Sequence, residues 1–235
     1  METKKYFFGS GEDFSEYNRL IERILDDSMS FLIFKRCRNG ICIAADTLQR
    51  NTLTGKETYV HKFIFDKEKR CVFGFVGHIR RYMKNGEIGV EMLGKDLFPL
   101  VNNYDDVEIL RWVQANLYNF ISDESDLTDR NVQYIFYHYD AYIDMESNVV
   151  NYPNYAIYPY TRTEFGDSFA IGQTCREYNA KHRCEDNKER TLNSIKEECI
   201  EEVQKRIDDV TLPDIGGKVE WITVDKDGNV ETNID

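Results

Sequence analysis

Four apolar runs no longer than a strand, around residues 31–36, 41–46, 62–66 and 71–77, constrain the fold of this chain more than anything else in it. Each is rich in β-branched or aromatic residues and ends at a polar or turn residue, which is the pattern of strands rather than helices. The first two are separated by a turn that closes on Gly40. The run ends also share a spacing: Ser30, Asp46 and Lys62 lie sixteen positions apart. If the first two runs form a hairpin and the third follows in the same sheet, a hydroxyl, a carboxylate and an amine meet at one end of a single sheet.

The rest of the chain alternates helical and strand patterns. Phe14, Tyr17, Leu20, Ile21, Ile24 and Leu25 recur at helical spacing, so residues 12–27 read as an amphipathic helix. Val107, Leu110, Val113, Leu117 and Phe120 mark a second at about 105–121, preceded by another from about 79. Residues 132–143 alternate aromatic and polar side chains, and with Val149-Val150 they read as a hairpin turning near Asp144. A short strand at 168–171, helices at about 174–184 and 188–208, and strands at 218–224 and 229–233 complete the pattern. Strands, helices, strands, helices, strands is the order expected of two packed sheets between helical layers.

A chain of 235 residues, 41% hydrophobic and without a long Pro/Gly/Ser linker, can bury one sizeable core, so a single domain is expected. The formal charge of −12 argues against nucleic acid, whose phosphates need a basic surface. No run of membrane-spanning length is present, and the first residues lack the apolar stretch of a secretory signal. Six cysteines without a CxxC pair, several inside apolar patterns, suit reduced thiols and a cytoplasmic setting. Cys175, His182 and Cys184 lack the second close pair of a zinc site, so neither a metal nor a cofactor is expected. Asp225-Lys-Asp-Gly reads as a hairpin turn, since it lacks the alternating ligands and distal Glu of a calcium loop.

Read singly, Ser30, Asp46 and Lys62 are a turn residue, a turn starter and an edge charge. As a set they carry a resemblance. Ser30, Gly40, Ala44-Ala45-Asp46 and Lys62 match the order of nucleophile, turn, strand end and lysine in proteasome β-type members of the N-terminal nucleophile (Ntn) hydrolases. Cys71-VFGFVG is similar to that family's strand ending in Gly-Phe-Ala-Gly, Phe169-AIG-Gln173 to its Ala-Ile-Gly-Ser, and Ile215-GGKVEWITV to its Gly-Gly closing strands. The resemblance runs from about residue 28 to the C-terminus and implies an α+β fold, a four-layer αββα sandwich of two mainly antiparallel sheets. Residues 1–29 would be a propeptide or an N-terminal helical extension, and 30–235 the hydrolase domain.

The activity so implied is hydrolysis of peptide bonds in a peptide or unfolded protein, by a serine that autoprocessing makes N-terminal. A serine hydroxyl needs a base beside it. In such sites the base is the nucleophile's own α-amine, whose unperturbed pKa of about 7.7 to 8.0 is near working pH. That amine exists only after cleavage between Met29 and Ser30. Lys62 would keep it neutral and favour the alkoxide, Asp46 would hold Lys62 charged and in place, and the Gly77 N–H would serve as oxyanion donor. Two positions depart from the family: Gln173 stands in place of a Ser, and Leu212 in place of an Asp, with Asp214 nearby. Two other readings keep the fold, a non-catalytic ring or scaffold subunit retaining residues 1–29 and an Ntn amidohydrolase acting on a small amide. Proteasome-like subunits form rings, so a homo-oligomer is expected.

Overall fold

The computed structural model describes residues 30–50, 55–68, 71–77, 132–138, 143–144, 149–150, 154–158, 167–183 and 185–234. The expected helices at 12–27, from about 79 and at 105–121 lie outside them.

The first hairpin forms as its sequence demands. β1 (Phe31–Cys37) and β2 (Gly40–Asp46) pair antiparallel from Cys37↔Gly40 to Leu32↔Ala45. Gly40 closes the turn with φ +143°, and a Cβ there would lie 2.2 Å from the Val224 carbonyl oxygen, so no other residue fits. A second hairpin follows, β3 (Leu48–Arg50) with β4 (Glu57–Tyr59), and then β5 (Phe63–Asp66) with β6 (Cys71–Gly77). β7 (Val132–His138) pairs with β10 (Asn154–Tyr158), while β8 (Ile143–Asp144) and β9 (Val149–Val150) form a small ribbon. The hairpin expected across Asp144 is therefore this ribbon alone, and one of the two partners of residues 132–138, β10, is a strand not foreseen.

The C-terminal part supplies β11 (Ser168–Gly172), α1 (Cys175–His182), α2 (Leu192–Ile207), β12 (Val219–Asp225) and β13 (Val230–Thr232). These strands build two antiparallel sheets, one ordered β11-β1-β2-β12-β13 and the other β10-β7-β6-β5. Because both faces of the first sheet are covered, β1 and β2 are buried almost throughout and read as continuous apolar runs. Leu32, Phe34, Ile43, Ile171 and Ile222 face the second sheet's Phe63, Val72 and Val76. On the opposite face Phe31, Ile33, Cys42 and Ala44 meet Cys175 and Tyr178 of α1 and Ile195, Cys199 and Val203 of α2. Burying each large apolar side chain contributes about 1.5–3 kcal/mol.

The helices fit that face by spacing. In α2 the positions 195, 199 and 203 recur every four residues, and Thr191 caps the helix by accepting from the Ser194 N–H at 3.1 Å. Asn179 of α1 secures the edge of β11, accepting from the Ala170 N–H (2.6 Å) and donating to its carbonyl (2.9 Å). The described residues thus give three layers, one helical and two of sheet. No helix among them is long and apolar enough to cross a membrane.

Candidate active site

Ser30 stands at the head of β1, where antiparallel pairing with β11 holds it from behind. The Gln173 N–H donates to the Ser30 carbonyl at 2.7 Å, and Gly172, with φ +98°, lies so close that a Cβ on it would come within 2.1 Å of that oxygen. Ser30 itself has φ +97°, a conformation that L side chains rarely adopt. A non-glycine residue so held stores about 1–3 kcal/mol of strain.

Lys62 lies directly before β5, and its carbonyl accepts from the Phe75 N–H at 2.8 Å, which extends the β5–β6 ladder by one residue. Its Nζ donates to Ser30 Oγ at 2.6 Å and to the Leu48 carbonyl at 2.8 Å. Both residues are buried, Ser30 at 2% and Lys62 at 1% exposure. The amine and hydroxyl therefore meet, but across the two sheets rather than along one as the spacing predicts. The β3–β4 hairpin carries the chain from the first sheet to the second between Asp46 and Lys62.

Asp46 ends β2. Its Oδ1 accepts from the Phe31 N–H at 2.8 Å and its Oδ2 from the Gly216 N–H at 3.3 Å. Both oxygens serve the backbone, and no ion pair joins Asp46 to Lys62 among the described residues. Asp46 thus fixes the strand that carries Ser30, and it acts on Lys62 through its charge. Burial pushes the Asp46 carboxyl up to about 6, opposed by the Lys62 charge and by these N–H groups. Burial likewise lowers Lys62 below the usual lysine value, and the Asp46 charge partly restores it.

Gly77 ends β6, two residues beyond Phe75. Alternate N–H groups of a strand point the same way, so the Gly77 N–H is directed to the side on which Phe75 meets Lys62. Gln173 is the cross-strand neighbour of Ser30, and its side-chain Oε1 is buried without a hydrogen-bond partner among the described residues. Leu212 packs half-buried against the helix-side core, and Asp214 lies 3.6 Å from Arg50, so neither brings a carboxylate to Ser30. Leu48 and Gln173 contribute through main-chain atoms, for which side-chain spacing carries no signal.

A second polar cluster lies beneath α2, and the sequence reading missed it. Lys35, fully buried on β1, donates to Glu185 (3.0 and 3.2 Å) and Glu198 (2.7 Å), while Arg190 pairs with the same two acids. His182 Nδ1 lies 2.9 Å from Glu185 Oε2. His182, Glu185 and Glu198 are close enough to share a cation, but two side-chain cations already occupy their carboxylates. Cys175 is buried in the helix-side core, and Cys184 lies outside the described residues. No disulfide forms among the described residues, where five thiols are buried.

No protein-family model matches this chain, and no curated protein matches it in sequence. The case for function rests on the chemistry of Ser30, Lys62 and Asp46.

Proposed function

We propose that this chain is an amide-bond hydrolase of the N-terminal nucleophile type, proteasome β-like, in which Ser30 attacks peptide bonds after freeing itself from residues 1–29. The observation that carries the proposal is the 2.6 Å contact between Ser30 Oγ and Lys62 Nζ, both buried. In the uncut chain Ser30 has no α-amine, and among the described residues Lys62 is the base within reach of its hydroxyl. Burial disfavours the ammonium and so favours the neutral amine of Lys62, whose lone pair can take the hydroxyl proton.

Self-cleavage then proceeds in two stages. Ser30 Oγ attacks the Met29 carbonyl carbon while its proton passes to Lys62. The C–N bond breaks, the proton goes to the departing nitrogen of Ser30, and an ester remains. Water hydrolyses the ester and leaves an N-terminal serine with a free α-amine. In turnover the same hydroxyl forms an acyl-enzyme with substrate, the Gly77 N–H stabilises the oxyanion, and the ionised Asp46 makes a cationic Lys62 less costly in the buried site. The αββα architecture that the resemblance implies contains two mainly antiparallel sheets, and two antiparallel sheets are present among the described residues.

One observation favours the non-catalytic alternative. Ser30 is 2% exposed in the intact chain, which leaves its hydroxyl closed to substrate. Intact-mass measurement of purified protein separates the two. Loss of residues 1–29 in the wild type, with retention and loss of peptidase turnover in Ser30→Ala, is the expected result. Unchanged turnover in Ser30→Ala would exclude Ser30 as the nucleophile.

A further inference from the structure

We propose that the cleft between α1 and α2 is a binding site for a small organic carboxylate. The cleft has a volume of about 360 Å³, within the size range of small-molecule sites. Its inner wall is a stacked pair, Tyr178 on His182, with ring centroids 4.1 Å apart and planes 17° from parallel. Each carries a buried polar atom, Tyr178 Oη and His182 Nε2, that has no hydrogen-bond partner among the described residues. An unsatisfied polar atom in a wall is costly, and a ligand that seats against it recovers that cost.

The unused hydrogen-bond donors favour an anion. Arg206 donates through Nε to Thr174 Oγ1 (3.0 Å) and through Nη1 to the Glu202 carbonyl and carboxylate (2.8 and 2.7 Å). Its Nη2 has no hydrogen bond among the described residues. The guanidinium also lies 4.0 Å above the Phe31 ring, which fixes its plane. Lys181 from one helix and Lys205 from the other line the cleft, and neither has an ion-pair partner among the described residues. Of the acids present, Glu202 is committed to Arg206 and Asp209 to the Thr211 N–H and hydroxyl, which leaves Glu177. The formal charges of the lining balance, Lys181, Lys205 and Arg206 against Glu177, Glu202 and Asp209, but the two lysines and Arg206 Nη2 are donors left without a hydrogen-bond partner among the described residues, and they suit a carboxylate held between the helices. Tyr178, whose hydroxyl burial keeps protonated, adds a neutral donor.

The site is separate from Ser30 and does not depend on how that residue acts. Titration calorimetry and saturation-transfer NMR on the whole chain, with succinate as the probe, test it. Succinate is expected to bind at millimolar concentration or below, and Lys205→Ala and Tyr178→Phe are each expected to weaken binding by about tenfold. Lys205 is exposed, so its variant should fold; if Tyr178→Phe does not, Lys205→Ala decides alone. Absence of binding means that the cleft holds only water, and binding unchanged in Lys205→Ala places the ligand elsewhere. Phosphate binding as tightly as succinate would mark a generic anion site. Any of these three results overturns the proposal.

Discussion

Lys62 and Ser30 are 32 positions apart in sequence and share one short hydrogen bond, so each can be altered against the other. Lys62→Met keeps most of the buried volume and removes the nitrogen. If Lys62 accepts the serine proton, turnover should fall by about a hundredfold or more while circular dichroism is unchanged. An active, folded Lys62→Met protein would make Lys62 a packing residue. Asp46 sets a dependence on pH. Its folded value of about 6 lies above its ordinary 3.8, so its contribution to stability is full below about 4 and is lost as pH rises through 6. The proposed catalysis would run the opposite way, since only the ionised carboxylate makes a cationic Lys62 less costly. Turnover is expected to fall on acidification with an apparent pKa near 6, measured at saturating peptide. The meeting of Ser30 and Lys62 was legible because sixteen-residue spacing survives any arrangement that returns each strand to the same end. What spacing could not show was that Asp46 serves the backbone, because N–H groups of Phe31 and Gly216 leave no mark on side-chain pattern.

Strands and helices with strong apolar patterns matched expectation closely. β1, β2 and β6 fall within a residue of their expected bounds, since each is bounded by Gly or charge and buried along its length. β3 and β4 were missed: Leu-Gln-Arg and Glu-Thr-Tyr have no apolar run, and the hairpin is held by Val60 N–H to Thr47 carbonyl (2.9 Å) and Arg50 to Glu57. That omission is why Lys62 was placed in the wrong sheet. β10 was missed because Asn-Tyr-Ala-Ile-Tyr sits among prolines at 153 and 159, which read as loop punctuation. Gly172 tests the junction of β11 and β1. Gly172→Ala would place a methyl 2.1 Å from the Ser30 carbonyl at a positive φ, so a loss of at least about 1–3 kcal/mol is expected in thermal or urea unfolding. Self-cleavage should fail in the same variant, because the carbonyl that fixes Ser30 must move. Wild-type stability and cleavage together would show that this contact is not needed.

Assembly belongs to the whole molecule. The chain carries 15 Tyr, 14 Phe and 2 Trp, residue types enriched at the cores of protein interfaces. Val210, 94% exposed just after α2, and Tyr59, 67% exposed on β4, are large apolar groups left on the described surface. The proposed function implies a ring that encloses its sites, and light scattering at micromolar concentration should report a mass several times 27.7 kDa. A monomer would leave the chemistry of Ser30 intact and remove the enclosure.

The φ angle of Ser30 also gives the chain a direction in time. That angle is defined by the carbonyl carbon of the preceding residue, so it exists only while the Met29–Ser30 bond does. In the proposed cleavage, hydrolysis would abolish the dihedral along with the bond, and the tension held there would be released once. Rejoining the two pieces would require the sheet to rebuild the same unfavourable twist against Gly172 and Gln173. On the proposed function the strand would work as a ratchet, with the uncut chain as its wound state.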